Sequence, residues 1–298
     1  MRMLDGRVVI VTGGGRGLGR AHCLELAAHG AAVVVNDLGA GLHGERQAGS
    51  PADDVAEEIR AGGGTAIVDG SSVADWGAME HLVARTLREL GRLDAIVNNA
   101  GITRDRMITS MAEEDFDLVL AVHVKGTIAL TRHACAYWRA EGKAGRDSSG
   151  RIVNTTSGSG LFGNVGQANY GAAKSAIATL TVITAMEMVR YGVTANAISP
   201  IAATRMTAGL AIGEIDEDAG AWQPRDPANA SPVVAWLCSE QSAWLSGAVL
   251  RVDGNTVQRV RGWEIDDAVA YTSASGERLL AAELDAGLRA VWPRGTGS

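Results

Sequence analysis

The segment Tyr170-Gly-Ala-Ala-Lys174 places a weak acid one helical turn before a fixed cation. Residues i and i+4 of an α-helix share one face, so we expect the Lys174 ammonium to approach the Tyr170 phenol. At about 4 Å and an effective dielectric constant of about 20, that charge is worth roughly 4 kcal/mol. We therefore expect the pKa of Tyr170 to fall from about 10 towards about 7. Such a phenol exchanges a proton with a substrate hydroxyl at neutral pH, although the same spacing also occurs on solvated helix faces.

A glycine-rich turn follows the first apolar run of the chain, within Val8-Val-Ile-Val-Thr-Gly-Gly-Gly-Arg-Gly-Leu-Gly19. Its glycines have the spacing G-x-x-x-G-x-G between a strand pattern and a helix pattern. Glycines there let the backbone approach a pyrophosphate, which then lies on the helix N-terminus. A tight turn without a ligand would use the same residues. The predicted cofactor-binding residues of this turn are Gly13, Arg16, Gly17, Leu18 and Gly19.

The cofactor predicted for this turn is NAD rather than NADP. Asp37 ends the second predicted strand, where a carboxylate accepts hydrogen bonds from the adenosine ribose and repels a 2′-phosphate. Arg16 slightly favours NADP, because a guanidinium in the turn can pair with the 2′-phosphate. We give Asp37 the greater weight, since repulsion between a carboxylate and a phosphate is costly. The alternative interpretation of Asp37 is a carboxylate that caps a loop.

The segment Asn98-Asn-Ala-Gly101 closes the fourth predicted strand. Its amide side chains are suited to bracing the sheet, and its small residues leave room for a cofactor. We therefore add Asn99, Ala100 and Gly101 to the predicted cofactor site. An ordinary turn is the alternative.

Apolar runs alternate with helical patterns along the chain, which predicts an α/β fold: a doubly wound, Rossmann-type parallel sheet of about seven strands with helices on both faces. Residues 1–255 are predicted to form this domain, and residues 256–298 an extension with one amphipathic helix, packed on the domain or on a subunit partner. Residues 38–51 form a glycine-rich insertion, and residues 202–231 a substrate lid. The predicted strands are 8–11, 32–36, 65–68, 95–98, 151–155, 194–198 and 249–252, and the helices 17–29, 52–61, 76–90, 113–141, 168–190, 232–240 and 276–291.

Composition and charge exclude several classes of protein. The net charge of −7 disfavours nonspecific binding to nucleic acid. The three cysteines form no Cys-x-x-Cys or Cys/His cluster, so we predict free thiols in a reducing compartment and no metal site. Strand-like sequence begins at Val8, which leaves no room for a signal peptide, and no apolar run approaches the ~20 residues of a membrane span. We predict a cytoplasmic protein that binds neither nucleic acid nor membranes.

Taken in order, these motifs resemble those of the short-chain dehydrogenase/reductase family. The resemblance spans residues 6–255 and rests on Thr12-Gly-Gly-Gly-Arg-Gly-Leu-Gly19, Asn98-Asn-Ala-Gly101, Ser157 and Tyr170-Gly-Ala-Ala-Lys174. It implies that Ser157 polarises the substrate oxygen and that Tyr170 is the acid/base. It also implies that Lys174 holds the nicotinamide ribose and lowers the pKa of the tyrosine. Pro200 and Thr204, at the start of the lid, belong to the implied cofactor site, with Thr204 near the carboxamide.

The chain departs from the usual family pattern at His123, in Val122-His-Val-Lys-Gly-Thr127, where the proton relay of the family has an asparagine. With a histidine at this position, the chain resembles the subgroup that contains the (3R)-hydroxyacyl-CoA dehydrogenase domain of peroxisomal multifunctional β-oxidation enzymes. We count His123 among the catalytic residues as a relay group, with a hydrogen-bonded core histidine as the alternative. Two further departures are Pro200-Ile201 in place of Pro-Gly, and Ser71 or Ser72 where an adenine-contacting Asp is common. Segments 35–39, 101–106, 163–170, 204–207 and 236–240 also resemble this subgroup.

The resemblance implies NAD-dependent oxidation of a secondary alcohol, most specifically a 3-hydroxyacyl-CoA with a fatty-acyl or steroid side-chain group. Three alternatives remain open: an NAD(P)H-dependent 3-oxoacyl or polyketide ketoreductase, a hydroxysteroid dehydrogenase, and a catalytically silent nucleotide-binding regulator. The expected partner is therefore a small acyl-CoA or steroid-like substrate. Family members pair through the two long helices, so we expect a homodimer or homotetramer. A hydratase that acts in the same sequence of reactions would be a separate protein.

Overall fold

An eight-stranded sheet organises the computed structural model, which describes residues 2–39, 50–146, 148–204, 222–273 and 279–291. The strand order is β3-β2-β1-β4-β5-β6-β7-β8, and every pairing up to β7 is parallel. The chain runs outward from β1 to β3 and then returns to place β4 on the other side of β1. The strands are β1 (Val8–Thr12), β2 (Ala32–Asn36), β3 (Thr65–Asp69), β4 (Ala95–Asn98), β5 (Arg151–Thr155), β6 (Thr194–Ile201), β7 (Val249–Asp253) and β8 (Thr256–Val260).

The central strands are buried on both faces, which explains their apolar runs without alternation. Every residue of β1, β4 and β5 is buried. Alternate residues of β1 enter opposite halves of the core: Val9 and Val11 pack in one cluster, and Val8 and Ile10 in the other. Helices therefore cover both faces, and the predicted doubly wound fold is confirmed.

Helices connect the strands, and several begin at residues that favour a helix start. Ser50 caps the helix α2, with Pro51 in its first turn, and the Asp75 carboxylate accepts a hydrogen bond from the Ala78 N–H at the start of α3. The helices are α1 (Gly17–Ala28), α2 (Pro51–Ala61), α3 (Trp76–Leu90), α4 (Glu113–Leu120), α5 (Gly126–Lys143), α6 (Gly158–Phe162), α7 (Ala168–Met188), α8 (Ser231–Leu237) and α9 (Ala281–Val291).

The helix predicted over residues 113–141 is divided in the structure. A π-helical segment, Ala121–Lys125, separates α4 from α5 and contains His123. Such segments are rare, and they concentrate at functional sites. The sequence pattern gave no indication of this change, because apolar and polar residues continue through it at helical spacing.

The eighth strand was not predicted. β8 pairs antiparallel with β7, and its residues are largely exposed, so no apolar run marks it. A two-residue turn joins the two strands at Gly254 and Asn255, and Gly254 has a φ of +57°. A Gly-Asn pair between two short runs is itself a hairpin signal, so this turn is a sequence feature that indicates β8. The chain divides into two compact units, residues 1–260 and residues 261–298, and the second unit contains α9.

Within the part of the chain that the structure describes, one helix has the length and composition of a membrane span. It comprises α7 and the turn that follows it, Ala168–Tyr191, with a mean hydropathy of 1.3 over its most apolar window. The expectation that no apolar run approaches the length of a membrane span is wrong for Ala168–Tyr191. α7 packs against β5, β6 and α4, as the core helix of a sheet protein does.

Candidate active site

The glycine-rich turn brings three backbone segments into close contact. A Cβ atom on Gly19 would lie 1.9 Å from the Gly13 carbonyl oxygen, and one on Gly13 would lie 2.8 Å from Ala100 Cα. Gly13 and Gly17 have positive φ angles of +63° and +51°. On its outer side Gly17 is exposed, and among the described residues only Thr204 Cγ2 comes within 4 Å of a Cβ built there. The turn is thus packed on one side and open on the other, which fits a dinucleotide pyrophosphate.

The N-cap residue of α1 does not cap the helix through its own side chain. Arg16 is the N-cap residue in an extended conformation, and its side chain makes no capping hydrogen bond. No acidic residue lies in the first turn. Together with the open face of Gly17, this arrangement suits an anionic ligand.

Asp37 lies where β2 ends, against the glycine-rich turn. Its Oδ2 accepts a hydrogen bond from the Gly15 N–H at 2.9 Å, and its Oδ1 accepts one from the Gly39 N–H at 2.8 Å. The carboxylate therefore caps the turn, as the alternative interpretation stated. Asp37 is half-buried at the expected end of β2, so its carboxylate is also compatible with ribose recognition.

Residues 98–101 brace the sheet and the turn through their amides. Asn99 Nδ2 donates to the carbonyl oxygens of Thr12 and Gly13 at 3.0 and 3.2 Å. Asn98 Nδ2 donates to Asn154 Oδ1 at 2.8 Å, which connects β4 to β5. The backbone N–H groups of Asn99 and Ala100 both donate to the Thr12 hydroxyl at 3.1 Å. Thr12 is thus a positioning residue that sequence reasoning did not single out.

Ser157, Tyr170 and Lys174 meet at the carboxyl end of β5. Ser157 is the N-cap of α6, and its Oγ accepts a hydrogen bond from the Ser159 N–H at 3.3 Å. Tyr170 stands in the first turn of α7, and its phenol interacts with the Ser157 side chain. Lys174 Nζ lies 5.6 Å from the centroid of the Tyr170 ring and donates to the Thr155 carbonyl oxygen at 2.7 Å. The structure thus brings together three of the four residues that the sequence assigned to catalysis.

The expected fall in the pKa of Tyr170 is wrong for this structure. Burial raises the pKa of Tyr170 to about 12; the hydrogen bond with Ser157 opposes this effect, and the charge of Asp105 adds to it. Burial also lowers the pKa of Lys174 to about 7. At neutral pH Lys174 is therefore only partly charged, and desolvation of the phenol exceeds the attraction on which the expectation rested.

His123 is fully buried in the π-helical segment, beside the phenol. Its Nε2 lies 2.8 Å from the Ile102 carbonyl oxygen and 3.0 Å from the Ile102 nitrogen, and its ring meets Tyr170 edge-on at 5.3 Å between centroids. Burial lowers the pKa of His123 to about 3; the Lys174 charge lowers it further, and the hydrogen bond to Ile102 opposes both. The ring is neutral at physiological pH, which favours a positioning role over proton transfer through an imidazolium.

Gly101 makes room for this histidine. A Cβ atom on Gly101 would lie 2.5 Å from His123 Cε1. The close packing explains why glycine ends the Asn-Asn-Ala-Gly segment, a reason that the sequence alone does not give. Any side chain at Gly101 would displace the ring that contacts Tyr170.

The remaining predicted residues lie at the same edge of the sheet or outside the described residues. Pro200 is the penultimate residue of the strand β6, and Thr204 lies three residues beyond the end of that strand. Most of the predicted lid, residues 205–221, lies outside the described residues, as do residues 40–49 of the predicted insertion. Among the residues that the structure describes, no group of three His, Cys, Asp or Glu side chains is arranged to hold a metal ion.

A family model for short chain dehydrogenases matches residues 7–213. The chain belongs to the short-chain dehydrogenase family. It is an oxidoreductase that acts on CH–OH groups, with NAD(H) or NADP(H) as its cofactor.

Several relatives of this dehydrogenase have names that describe their activity. It is 44% identical to the hydroxyacyl-CoA dehydrogenase ChsB1 of Mycobacterium tuberculosis over 263 residues, 86% of this chain and 80% of the relative. It is 41% identical over 260 residues to the peroxisomal hydratase-dehydrogenase-epimerase of Neurospora crassa, with 87% of this chain matched. The chain spans 27% of that longer fungal protein. The resemblance to the multifunctional subgroup is thereby confirmed.

Two other comparisons bear on the fold and on the reaction. A crystal structure of a short chain dehydrogenase from Mycobacterium avium matches with a TM-score of 0.86 and 49% identity, covering 97% of this chain and 95% of the other. A 3-oxoacyl-[acyl-carrier-protein] reductase from Synechocystis is 36% identical over 259 residues, 86% of this chain and 99% of the relative. The Mycobacterium avium structure supports the Rossmann-type fold. The Synechocystis relative is named as a reductase, so oxidation of the alcohol and reduction of the ketone both stay open.

Proposed function

We propose that this dehydrogenase oxidises the secondary alcohol of a 3-hydroxyacyl-CoA, with a fatty-acyl or steroid side-chain group, to the 3-oxoacyl-CoA with NAD. The observation that carries the chemistry is the meeting of Ser157, Tyr170 and Lys174 beside the glycine-rich turn. The 3-hydroxyacyl-CoA class is supported by the name of the ChsB1 relative and by the multifunctional subgroup.

Each catalytic side chain has a distinct role in this proposal. The Ser157 hydroxyl donates a hydrogen bond to the substrate oxygen, and Tyr170 removes the carbinol proton after its own proton has left. Lys174, anchored to Thr155, holds the nicotinamide ribose and exchanges protons near neutral pH because its pKa is about 7. His123 holds the backbone at Ile102 and supports one edge of the phenol.

Bound NAD⁺ would accept the hydride at C4 of its nicotinamide ring and add a positive charge that favours the phenolate. The residues proposed to hold this cofactor surround the crevice at the carboxyl edge of β1, β4 and β6. They are Gly13, Arg16, Gly17, Leu18, Gly19, Asp37, Asn99, Ala100, Gly101, Tyr170, Lys174, Pro200 and Thr204.

NAD is preferred over NADP in this proposal because of Asp37. Its carboxylate is fixed by two backbone N–H groups at the end of β2, so it cannot turn away from an incoming 2′-phosphate without losing both hydrogen bonds. Arg16 occupies the neighbouring N-cap of α1 and is the residue that would favour NADP.

The reverse reaction, reduction of a 3-oxoacyl thioester, is the second candidate. The Synechocystis relative supports it, and so does the raised pKa of Tyr170, because a phenol that stays protonated is ready to donate to a carbonyl oxygen. The same residues would act in either direction, so kinetic measurements rather than geometry distinguish oxidation of the alcohol from reduction of the ketone.

A homodimer or homotetramer in the cytoplasm is the proposed form of the enzyme, with any hydratase of the same reaction sequence on a separate chain. The outer face of α7 supports self-association, because Val182, Ile183 and Met186 are exposed there, Met186 to 73%, and Val189 is exposed directly after the helix. A row of large apolar side chains on a long helix suits a contact with a second copy.

The proposed function is tested by a panel of 3-hydroxyacyl-CoA thioesters of graded length, including steroid side-chain thioesters, assayed with NAD and with NADP. The reverse assay uses the matching 3-oxoacyl-CoA thioesters with NADH and NADPH, and free hydroxysteroids serve as a separate class. We expect the highest kcat/KM for one 3-hydroxyacyl-CoA with NAD. Turnover of free hydroxysteroids alone, or of 3-oxoacyl thioesters with NADPH alone, would contradict the proposal.

A further inference from the structure

Thr155, the last residue of β5, has a buried hydroxyl that no group among the described residues satisfies. The residue is 6% exposed, and its Oγ1 has no hydrogen-bond partner. The next residue shows the usual arrangement, since Thr156 Oγ1 donates to the Lys174 carbonyl oxygen at 2.7 Å. A buried polar group without a partner costs free energy, so folded proteins contain few of them and each one has a reason to be kept.

The register of the sheet places Thr155 on the face that carries the glycine-rich turn. Three residues of β1, β4 and β5 are paired neighbours and pack in one core cluster: Val11, Val97 and Val153. Side chains alternate along a strand, so the residues two positions further on share that face. Gly13, Asn99 and Thr155 therefore form one row at the carboxyl edge of the sheet.

The middle residue of this row contacts the glycine-rich turn directly. Asn99 Nδ2 donates to the Gly13 carbonyl oxygen at 3.2 Å, and a Cβ atom on Gly19 would lie 2.6 Å from the same nitrogen. The first turn of α1 therefore packs over this row. Neighbouring strands lie about 4.8 Å apart, so Thr155 stands one strand further along the crevice than Asn99.

Thr155 also adjoins the residues that the proposed function places at the nicotinamide. Its carbonyl oxygen accepts the hydrogen bond from Lys174 Nζ at 2.7 Å, and Ser157 follows it by two residues. On the other side Thr155 is paired with Ile198 of β6, two residues before Pro200. Thr155 thus lies between the turn suited to the pyrophosphate and the lysine assigned to the nicotinamide ribose.

We infer that Thr155 is a cofactor-binding residue, whose hydroxyl forms a hydrogen bond with the nicotinamide half of the bound dinucleotide. This inference rests on the cofactor site of the proposed function, and it holds for NAD and NADP alike because the two differ only at the adenosine ribose. A threonine hydroxyl both donates and accepts, so it suits a ribose hydroxyl or the nicotinamide carboxamide. The hydroxyl destabilises the cofactor-free protein and contributes to affinity once the cofactor is bound.

The test replaces the threonine by valine, which has nearly the same shape and lacks the hydroxyl. Thr155→Val should raise the melting temperature of the cofactor-free enzyme by about 2–4 °C, because an unpaired buried hydroxyl is removed. The same change should raise the Kd for NAD about 5-fold in calorimetry, the factor that corresponds to one neutral hydrogen bond. Thr155→Ser keeps the hydroxyl and should bind NAD within about 2-fold of wild type.

Thr194 provides a matched control on the neighbouring strand. Its hydroxyl is likewise buried without a partner among the described residues, and the residue is also 6% exposed. Thr194 is the first residue of β6, so it lies at the amino edge of the sheet, opposite the edge that carries the cofactor site. Thr194→Val should therefore stabilise the cofactor-free enzyme to a similar extent and leave the Kd for NAD unchanged.

A ligand that lacks the nicotinamide half locates the hydrogen bond. ADP contains only the adenosine and the pyrophosphate, so Thr155→Val should bind ADP as wild type does. Equal loss of affinity for NAD and ADP, an unchanged Kd for NAD, or a lower melting temperature of cofactor-free Thr155→Val overturns the inference.

These affinities are measured without substrate, which separates this inference from the proposed substrate. Wild-type enzyme that binds NAD but oxidises no 3-hydroxyacyl thioester contradicts the proposed function, whereas the Kd values still decide the role of Thr155. NADP replaces NAD in every measurement if wild-type enzyme binds NADP more tightly. Wild-type enzyme that binds neither dinucleotide overturns the inference together with the proposed cofactor.

Discussion

Lys174 is anchored to β5 rather than to the phenol one turn before it. Its Nζ donates to the Thr155 carbonyl oxygen at 2.7 Å and lies 5.6 Å from the centroid of the Tyr170 ring. The ammonium is buried, and burial lowers the pKa of Lys174 to about 7. The catalytic geometry thus places a lysine that is half-neutral at physiological pH beside a protonated phenol.

The buried Lys174 should make the stability of the protein depend on pH. Its pKa is about 7 in the fold and about 10.4 when unfolded. Between these values the unfolded chain binds more protons, so the free energy of unfolding should rise with pH, by roughly 4 kcal/mol in total, and stay level below pH about 7. Lys174→Met should lose this rise, which urea unfolding at several pH values measures. The control is Lys143→Met, at an exposed lysine of α5, and parallel pH curves for Lys174→Met and wild type would refute the expectation.

Asp37 should set the choice between NAD and NADP. Asp37→Asn keeps an oxygen for the Gly15 N–H and removes the charge that repels a 2′-phosphate. We expect the ratio of kcat/KM with NADP to kcat/KM with NAD to rise about 10-fold or more, since removing one close like-charge contact is worth at least one factor of ten. Steady-state kinetics with both cofactors give the ratio, and Asp54→Asn, at an exposed carboxylate of α2, is the control. An unchanged ratio would assign Asp37 to capping alone.

His123 should remain neutral across the pH range in which the enzyme works. Its pKa of about 3 means that the ring resonances do not move between pH about 5 and about 8 in an NMR titration. His123→Asn should lower kcat without changing the shape of the pH–rate profile. A wild-type ionisation between pH about 6 and about 7 that disappears in this variant would restore the relay role.

Much of the fold was predictable because the chain repeats a simple physical pattern. The seven parallel strands are short Val- and Ile-rich runs buried on both faces, and the glycine-rich turn and the Tyr170–Lys174 pair lie at fixed places in that repeat. These features depend on local sequence, so the sequence located them. The exposed strand β8 has no apolar signal, and only its Gly-Asn turn indicates it.

The electrostatics of the site were not predictable in the same way. Helical spacing alone gives the proximity of Lys174 and Tyr170, but the pKa of each depends on burial, which only the folded chain defines. The partners of His123 and Asp105 are likewise distant in sequence, at Ile102 and Gln167. Segments 101–106 and 163–170 contain Asp105 and Gln167, but nothing in the spacing of these two residues showed that their side chains are in contact.

The Tyr170 hydroxyl transfers the proton in this account, whereas the cofactor binds without needing that hydroxyl. Tyr170→Phe removes only that hydroxyl, so its effect on kcat and on NAD affinity separates the two functions; Tyr191→Phe, after α7, is the matched control. We predict that kcat with the preferred 3-hydroxyacyl-CoA falls by about 10²- to 10⁴-fold, the usual contribution of a positioned acid/base, and that NAD affinity by calorimetry stays within about 3-fold. A Tyr170→Phe enzyme that retains wild-type turnover would contradict the account.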